Sequence, residues 1–181
     1  MLHRQGIARR DMVDEAVREY GGMVLRLAKS RIRPSGAVED IFQEVFLSLY
    51  TSRTIFADEE HLKHWLVRAT LNYCKNHHRY LRTHPEDPTD PLDSSSALSR
   101  ESLAAVAYDS PDFDPDNELW ERVRQLPESL SVVLVLYYAE GYTTAEIAAM
   151  LELNSITVRT RLTKARKKLG ILLKEVDRGR E

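Results

Sequence analysis

Only one cysteine, Cys74, occurs in the 181 residues, which excludes an internal disulfide framework and a cysteine-built metal ribbon and fits a reducing compartment. Runs of alternating apolar and polar residues long enough to suggest a sheet are missing, so the expected fold class is all-α. No stretch approaches the roughly 20 apolar residues of a membrane span. The first twenty residues, "MLHRQGIARRDMVDEAVREY", are charged almost throughout and lack the apolar run of a signal peptide, so the expectation is a soluble cytoplasmic protein. A Gly-rich phosphate loop and a nucleophile motif are also absent; the chain is expected to be no enzyme and to need no cofactor. One further absence is local. "LNSITVRTRLTKARKKL", residues 153–169, carries six basic side chains and no acid, although the whole chain has a net charge of −2.

What is present divides the chain into three. Apolar residues make up 43%, enough for real cores. Helical patterns fill residues 1–82 and 119–181. Between them, residues 83–118 concentrate Pro, Ser and Asp, with Arg100 the only Lys or Arg; such a composition cannot bury enough surface to offset its ordering entropy and reads as a flexible acidic linker. "SRESLAAVA" within it is expected to form a helical turn or two. Two small helical domains joined by this linker are the expected architecture.

The C-terminal module has clear punctuation. Pro127 suits a first helical residue, "ESLSVVLVLYYAE" reads as a nearly all-apolar and therefore central helix, and Gly141 ends it. Thr143 and Glu146 stand in capping-box spacing before "AEIAAML". Asn154 is placed to cap a further helix starting at Ser155. Two short helices joined by a turn of a few residues form a helix-turn-helix. On the last helix, Val158, Leu162, Ala165 and Leu169 fall in one core stripe at about 100° per residue. The opposite side carries Ile156, Thr160, Thr163, Lys164 and Lys167, flanked by Arg159, Arg161, Arg166 and Lys168. A helix that only needs solubility mixes both signs of charge. An acid-free one suits DNA phosphates, and because salt screens beyond about 8–10 Å a local patch binds them in a chain that is acidic overall.

In the N-terminal module, "AVEDIFQEVFLSLY" places Val38, Ile41, Phe42, Val45, Phe46 and Leu49 on a core stripe and gathers Glu39, Asp40, Gln43 and Glu44 on another face. In "EEHLKHWLVRATLNYCKNHHRYLR", Leu62, Trp65, Leu66, Ala69, Tyr73 and Tyr80 cluster as the expected core face. Arg68, Asn72, Lys75, Arg79 and Arg82 lie opposite as a stripe suited to a phosphate backbone or to plain solvation. A metal reading of His61, His64, Cys74, His77 and His78 fails on distance. His64 and Cys74 stand about 15 Å apart along one helix, whereas structural zinc wants four converging ligands. No metal site is expected.

"AVEDIFQEVFLSLY", "HLKHWLVRATLNYCKNHHR" and "LPESLSVVLVLYYAEGYTTAEIAAMLELNSITVRTRLTKARKKL" together resemble regions 2.2, 2.3 to 2.4 and 4 of bacterial RNA polymerase sigma factors, in the extracytoplasmic-function group of the sigma-70 family. The resemblance covers nearly all of the chain outside the linker and the ends. It implies a subunit that binds core polymerase and directs promoter recognition and melting. Asp40, Gln43 and Glu44 would dock on the coiled coil of the largest subunit. "TSRTIFADEEH", with Phe56, and the helix after it, with Arg68, Asn72, Lys75, Arg79 and Arg82, would engage and melt the minus-10 element. Ser155, Ile156, Arg159, Thr160, Thr163, Lys164 and Lys167 would read the minus-35 element, their module also touching the flap of the second large subunit. The linker would run near the active centre, and an anti-sigma protein is a further partner the resemblance implies. The chain departs from the usual pattern at Glu152, where glycine is common, at Ile156, where a small residue is common, at "TVRTRL" for "TVKSRL", and at Asn76 for a frequent aspartate. The alternative is a helix-turn-helix regulator that never joins the polymerase, which would have no use for the "EDIFQE" face.

Overall fold

A computed structural model describes residues 2–32, 35–83 and 118–179. Of the linker expected at 83–118, Thr83 ends α3 and Glu118 opens the helix that follows, while residues 84–117, with the turn expected in "SRESLAAVA", lie outside the described residues. Seven helices and no strand occur among them: α1 (Leu2–Lys29), α2 (Ser35–Thr51), α3 (Glu59–Thr83), α4 (Glu118–Gln125), α5 (Glu128–Tyr138), α6 (Thr144–Met150) and α7 (Ser155–Gly179). The first three pack on one another as one bundle. In the second, α5 and α6 pack together, and α4, α5 and α6 all pack against α7. No helix among the described residues is long and apolar enough to cross a membrane.

The apolar spacing of α2 fixes its rotation, and Val38, Ile41, Phe42, Val45, Phe46 and Leu49 are all buried. α5 is apolar on every side and is accordingly the centre of its bundle, with Leu130 to Leu136 buried in an unbroken run. Pro127 proves to be the N-cap rather than the first helical residue, extended at ψ 140°. Its ring fixes φ and it has no N–H to leave unpaired at the helix entry. After Tyr138 the chain turns through Gly141 at φ +73°, and the Tyr142 N–H donates to the Leu136 carbonyl at 3.0 Å.

α3 differs from its expected orientation. Its buried residues are Leu66, Val67, Thr70, Cys74 and His77, an arc rotated by roughly 90° from the expected face at 100° per residue. Trp65, Ala69, Tyr73 and Tyr80 are only half-buried. The reason is that α3 wedges against both α1 and α2, so its core arc centres between those partners. Small or polar groups at 70, 74 and 77 fill that arc. Thr70 satisfies its hydroxyl by donating to the Leu66 carbonyl at 2.8 Å. Burial pushes the Cys74 thiol up to about 12, against the opposing pull of the Arg31 charge. Thiolate is the reactive form, so alkylation of Cys74 in the native protein at pH 8 should run about 1,000-fold slower than that of an exposed thiol. Rapid labelling before unfolding would show that the thiol is not held in the core.

The two bundles pack against each other, α1 on α5 and α3 on α6. Arg26 makes a two-pronged bond to Glu140, at 2.5 and 2.9 Å, and Arg31 reaches Glu128 at 2.6 Å. Arg124 donates to the Lys29 carbonyl at 3.3 Å, and the Tyr142 hydroxyl meets the Met23 sulfur at 3.6 Å. The bond to Glu140 raises the Arg26 pKa above its usual value despite burial. Such a pair is worth less than its geometry suggests, since both ions give up water. It does fix how the bundles meet.

Candidate nucleic-acid interface and docking face

The helix-turn-helix forms as its punctuation demands. Thr143 Oγ1 accepts from the Glu146 N–H at 3.3 Å while the Thr143 N–H donates to the Glu146 carboxylate at 2.7 Å, so the capping box of α6 is complete. Hydrogen bonding to its carboxyl from the Thr143 hydroxyl and backbone N–H holds Glu146 below the usual range. This contribution is full above that range and is lost as pH falls through the lowered value. In the turn, Glu152 adopts φ 52°, the left-handed conformation that glycine takes without cost. Asn154 Oδ1 then accepts from the Ile156 N–H at 2.8 Å and caps α7.

Val158, Leu162 and Ala165 are buried, with Leu169 packed at the edge of the same core. This fixes the outward face of α7. Arg159, Thr160, Thr163, Lys164 and Lys167 are exposed and Ser155 is half-buried. Ile156 is 65% exposed, which removes the possibility that it packs under the turn. The hydroxyls of Thr160 and Thr163 donate to carbonyls one turn back at 2.9 and 3.0 Å, leaving their oxygens free to accept from a base edge. Arg166 points away from this face. Its Nε donates to the Tyr138 hydroxyl at 2.7 Å, and its guanidinium lies over the rings of Tyr137 and Tyr138.

The second basic surface runs along α3. Asn72, Lys75, Arg79 and Arg82 are exposed together with Arg68, and Arg79 donates to Asn76 Oδ1 at 3.1 Å, a contact that the usual aspartate would turn into an ion pair. Beside the stripe lies an open groove of about 510 Å³ lined by Ser48, Trp65, Arg68, Asn72, Tyr73 and Asn76. Trp65 and Tyr73, expected as core, thus present ring surface next to amides and a guanidinium, a combination suited to unstacked bases.

Phe56 is half-buried and stacks edge-on against Trp65, with centroids 5.9 Å apart, and against His61, so it braces the groove from the loop. The exposed apolar side chain of that loop is its neighbour Ile55, 89% exposed, which the sequence reading passed over. The loop is pinned from behind by Arg9, which donates to the carbonyls of Leu49, Ser52 and Thr54. Asp58 accepts from the His61 N–H at 2.7 Å. Glu59 accepts from the Tyr20 hydroxyl at 2.7 Å and pairs with Lys63 at 2.6 Å. Together these fix where α3 begins. The histidines do not converge: no group of three or more His, Cys, Asp or Glu among the described residues is placed to hold a metal.

On α2, Asp40, Gln43 and Glu44 are half-buried on the side away from the core stripe. Leu47 and Tyr50 continue that side, 42% and 47% exposed. Charge marks only the acids in the sequence, whereas the helical spacing from 40 through 43, 44, 47 and 50 extends the face.

A helix-turn-helix with an acid-free outward face, a cationic helix beside an aromatic groove and a separate acidic-to-apolar helix face define a DNA-binding protein of transcription. Comparison makes the class specific. Residues 16–83 match sigma-70 region 2 and residues 116–169 match sigma-70 region 4. The ECF RNA polymerase sigma-E factor of Escherichia coli strain K12 is 33% identical over 146 residues, covering 76% of this chain and 74% of that one. Among solved structures, CnrH in complex with the cytosolic domain of CnrY matches with a TM-score of 0.65 at 23% identity, over 96% of this chain and 94% of that one. The sigma factor RpoE in complex with the anti-sigma factor NepR from Bartonella quintana matches at 0.63 and 18%, over 91% and 98%. The chain belongs to the extracytoplasmic-function group of the sigma-70 family, an RNA polymerase sigma factor of transcription initiation.

Proposed function

We propose that the chain acts in the cytoplasm as a non-catalytic polymerase subunit, with its three faces dividing the work. Asp40, Gln43 and Glu44 dock on the coiled coil of the largest core subunit. Leu47 and Tyr50 lie under the same contact as its apolar part. Phe56, Arg68, Asn72, Lys75, Arg79 and Arg82 hold the minus-10 region as it melts, the cations on phosphates and the groove beside Trp65 and Tyr73 on unstacked bases. Ser155, Ile156, Arg159, Thr160, Thr163, Lys164 and Lys167 read the minus-35 element in the major groove, and the helix-turn-helix module meets the flap of the second subunit. The acidic linker passes near the active centre. An anti-sigma protein is a further partner, in keeping with the complexes of CnrH and RpoE named above.

The observation that carries this reading is the acidic-to-apolar face of α2 in a chain that also bears two faces suited to DNA, since a free-standing regulator has no use for it. A pull-down of purified core polymerase with the tagged chain tests it. Retention in the absence of DNA is expected, and failure to retain core at any ionic strength would overturn the docking role given to α2.

Ile156 carries the sharpest specificity prediction. An exposed branched side chain near the N-terminus of a recognition helix suits a thymine methyl. Ile156→Ala should relax preference at one base pair of the minus-35 element by about 1 kcal/mol. It should leave the melting temperature nearly unchanged, because little buried surface is lost. An unaltered base preference in a selection from randomised minus-35 sequences would remove the contact.

A further inference from the structure

Arg68 stands on the phosphate-suited stripe of α3, yet its side chain turns to the other module. Its Nε donates to the Met150 carbonyl at 3.1 Å, and its Nη2 lies 2.8 Å from Glu152 Oε1. Met150 is the last residue of α6, where terminal carbonyls have no partner within the helix. The guanidinium therefore completes the C-terminus of α6 and meets the negative end of its dipole. Glu152 sits at φ 52°, where glycine would be relaxed and a glutamate is disfavoured. The residue that departs from the common glycine thus accepts a poor backbone conformation and supplies a carboxylate to a cation on the other module.

We propose that Glu152 and the end of α6 form a latch on Arg68. In the free chain they occupy a cation that would otherwise hold a promoter phosphate, and they keep the helix-turn-helix folded against α3 until DNA or polymerase displaces them. The inference rests on the reading of Arg68 as a phosphate contact. Geometry requires some such opening. From Glu152 to Ile156 is four residues, at most about 14 Å of backbone, so the minus-35 reading surface lies close to Arg68. Promoter elements about 25 base pairs apart are separated by roughly 85 Å on straight duplex, at 3.4 Å per step. The packed chain cannot span both.

Among the described residues, Arg26 with Glu140, Arg31 with Glu128 and Arg68 with Glu152 cross the boundary, each with its guanidinium on the first module and its carboxylate on the second. The Arg26 and Glu140 side chains are only 16% and 7% exposed, and the Arg31 side chain is buried where it meets Glu128. Arg68 and Glu152 are 45% and 73% exposed, so theirs is the pair that an incoming phosphate reaches first. An exposed pair is weak, which suits a latch that must yield.

The test is single-molecule energy transfer on the full chain, labelled at Arg53→Cys and Lys174→Cys, with Cys74 left unlabelled in its core. Binding of a short oligodeoxythymidine is measured in parallel. Glu152→Gly and Glu152→Gln should each lower the ratio of closed to open chains by about threefold to fivefold and tighten oligodeoxythymidine binding by a similar factor. Glycine relieves the turn and glutamine keeps the side-chain shape, so neither effect is ascribable to misfolding. If the distance distribution is the same in parent and variants, or shifts only with glycine, the latch is overturned. If the chain opens but binds oligodeoxythymidine no tighter, competition for Arg68 is overturned, and with it the phosphate role of that residue.

Discussion

Replacing both Asp40 and Glu44 with lysine should weaken binding to core RNA polymerase by about 100-fold, the effect of losing two charge contacts of about 1.4 kcal/mol each at an interface. Both side chains are half-buried and stand away from the stripe of Val38, Ile41, Phe42, Val45, Phe46 and Leu49, so far-ultraviolet circular dichroism should show an unchanged helix content. Titration of fluorescently labelled chain with core polymerase reads the affinity directly. Raised salt should narrow the gap between parent and variant, because exposed parts of a charge contact are screened. Should the double variant bind at full strength, the contact is not electrostatic, and the apolar continuation at Leu47 and Tyr50 becomes the surface to remove.

Removing the cations of α3 should act on salt dependence more than on any single affinity. Lys75, Arg79 and Arg82 are exposed, and each phosphate contact on a single strand contributes about 0.7 to the slope of log affinity against log salt. The triple alanine variant should therefore lose roughly 2 units of slope in open-complex formation. Adding Arg68→Ala should take the loss to roughly 3. Between about 50 and 200 mM salt the parent's affinity would then fall about 16-fold further than the triple variant's. Equal slopes would make the stripe an ordinary solvated face.

Where a helix carries a single clean stripe of large apolar residues, its rotation was legible in the sequence. α2 shows this, as does α7, where Val158, Leu162 and Ala165 are buried and the faces opposite follow. The capping box at Thr143 and the cap at Asn154 were legible too, because each is set by residues three or fewer apart. α3 was misjudged because its large apolar and aromatic residues do not mark its core. Its core arc includes Thr70, Cys74 and His77, which a count of large apolar residues passes over, while Trp65 and Tyr73 face a groove. The packing of one module on the other was not legible at all. Arg26 and Glu140 are 114 residues apart, and nothing local to either marks the pair. Glu152 was visible only as a departure from a common glycine; its partner on α3 gives that departure a physical meaning.

A sigma factor changes where polymerase starts, and in vitro transcription measures that most directly. Core polymerase and genomic DNA fragments are incubated with and without the purified chain, and run-off products are mapped to their starts. Discrete transcripts that appear only with the chain, share paired upstream elements and diminish with the Asp40 and Glu44 reversal are the predicted result. Sequence-specific binding of the chain to duplex DNA without core, together with no new transcripts in its presence, would contradict it.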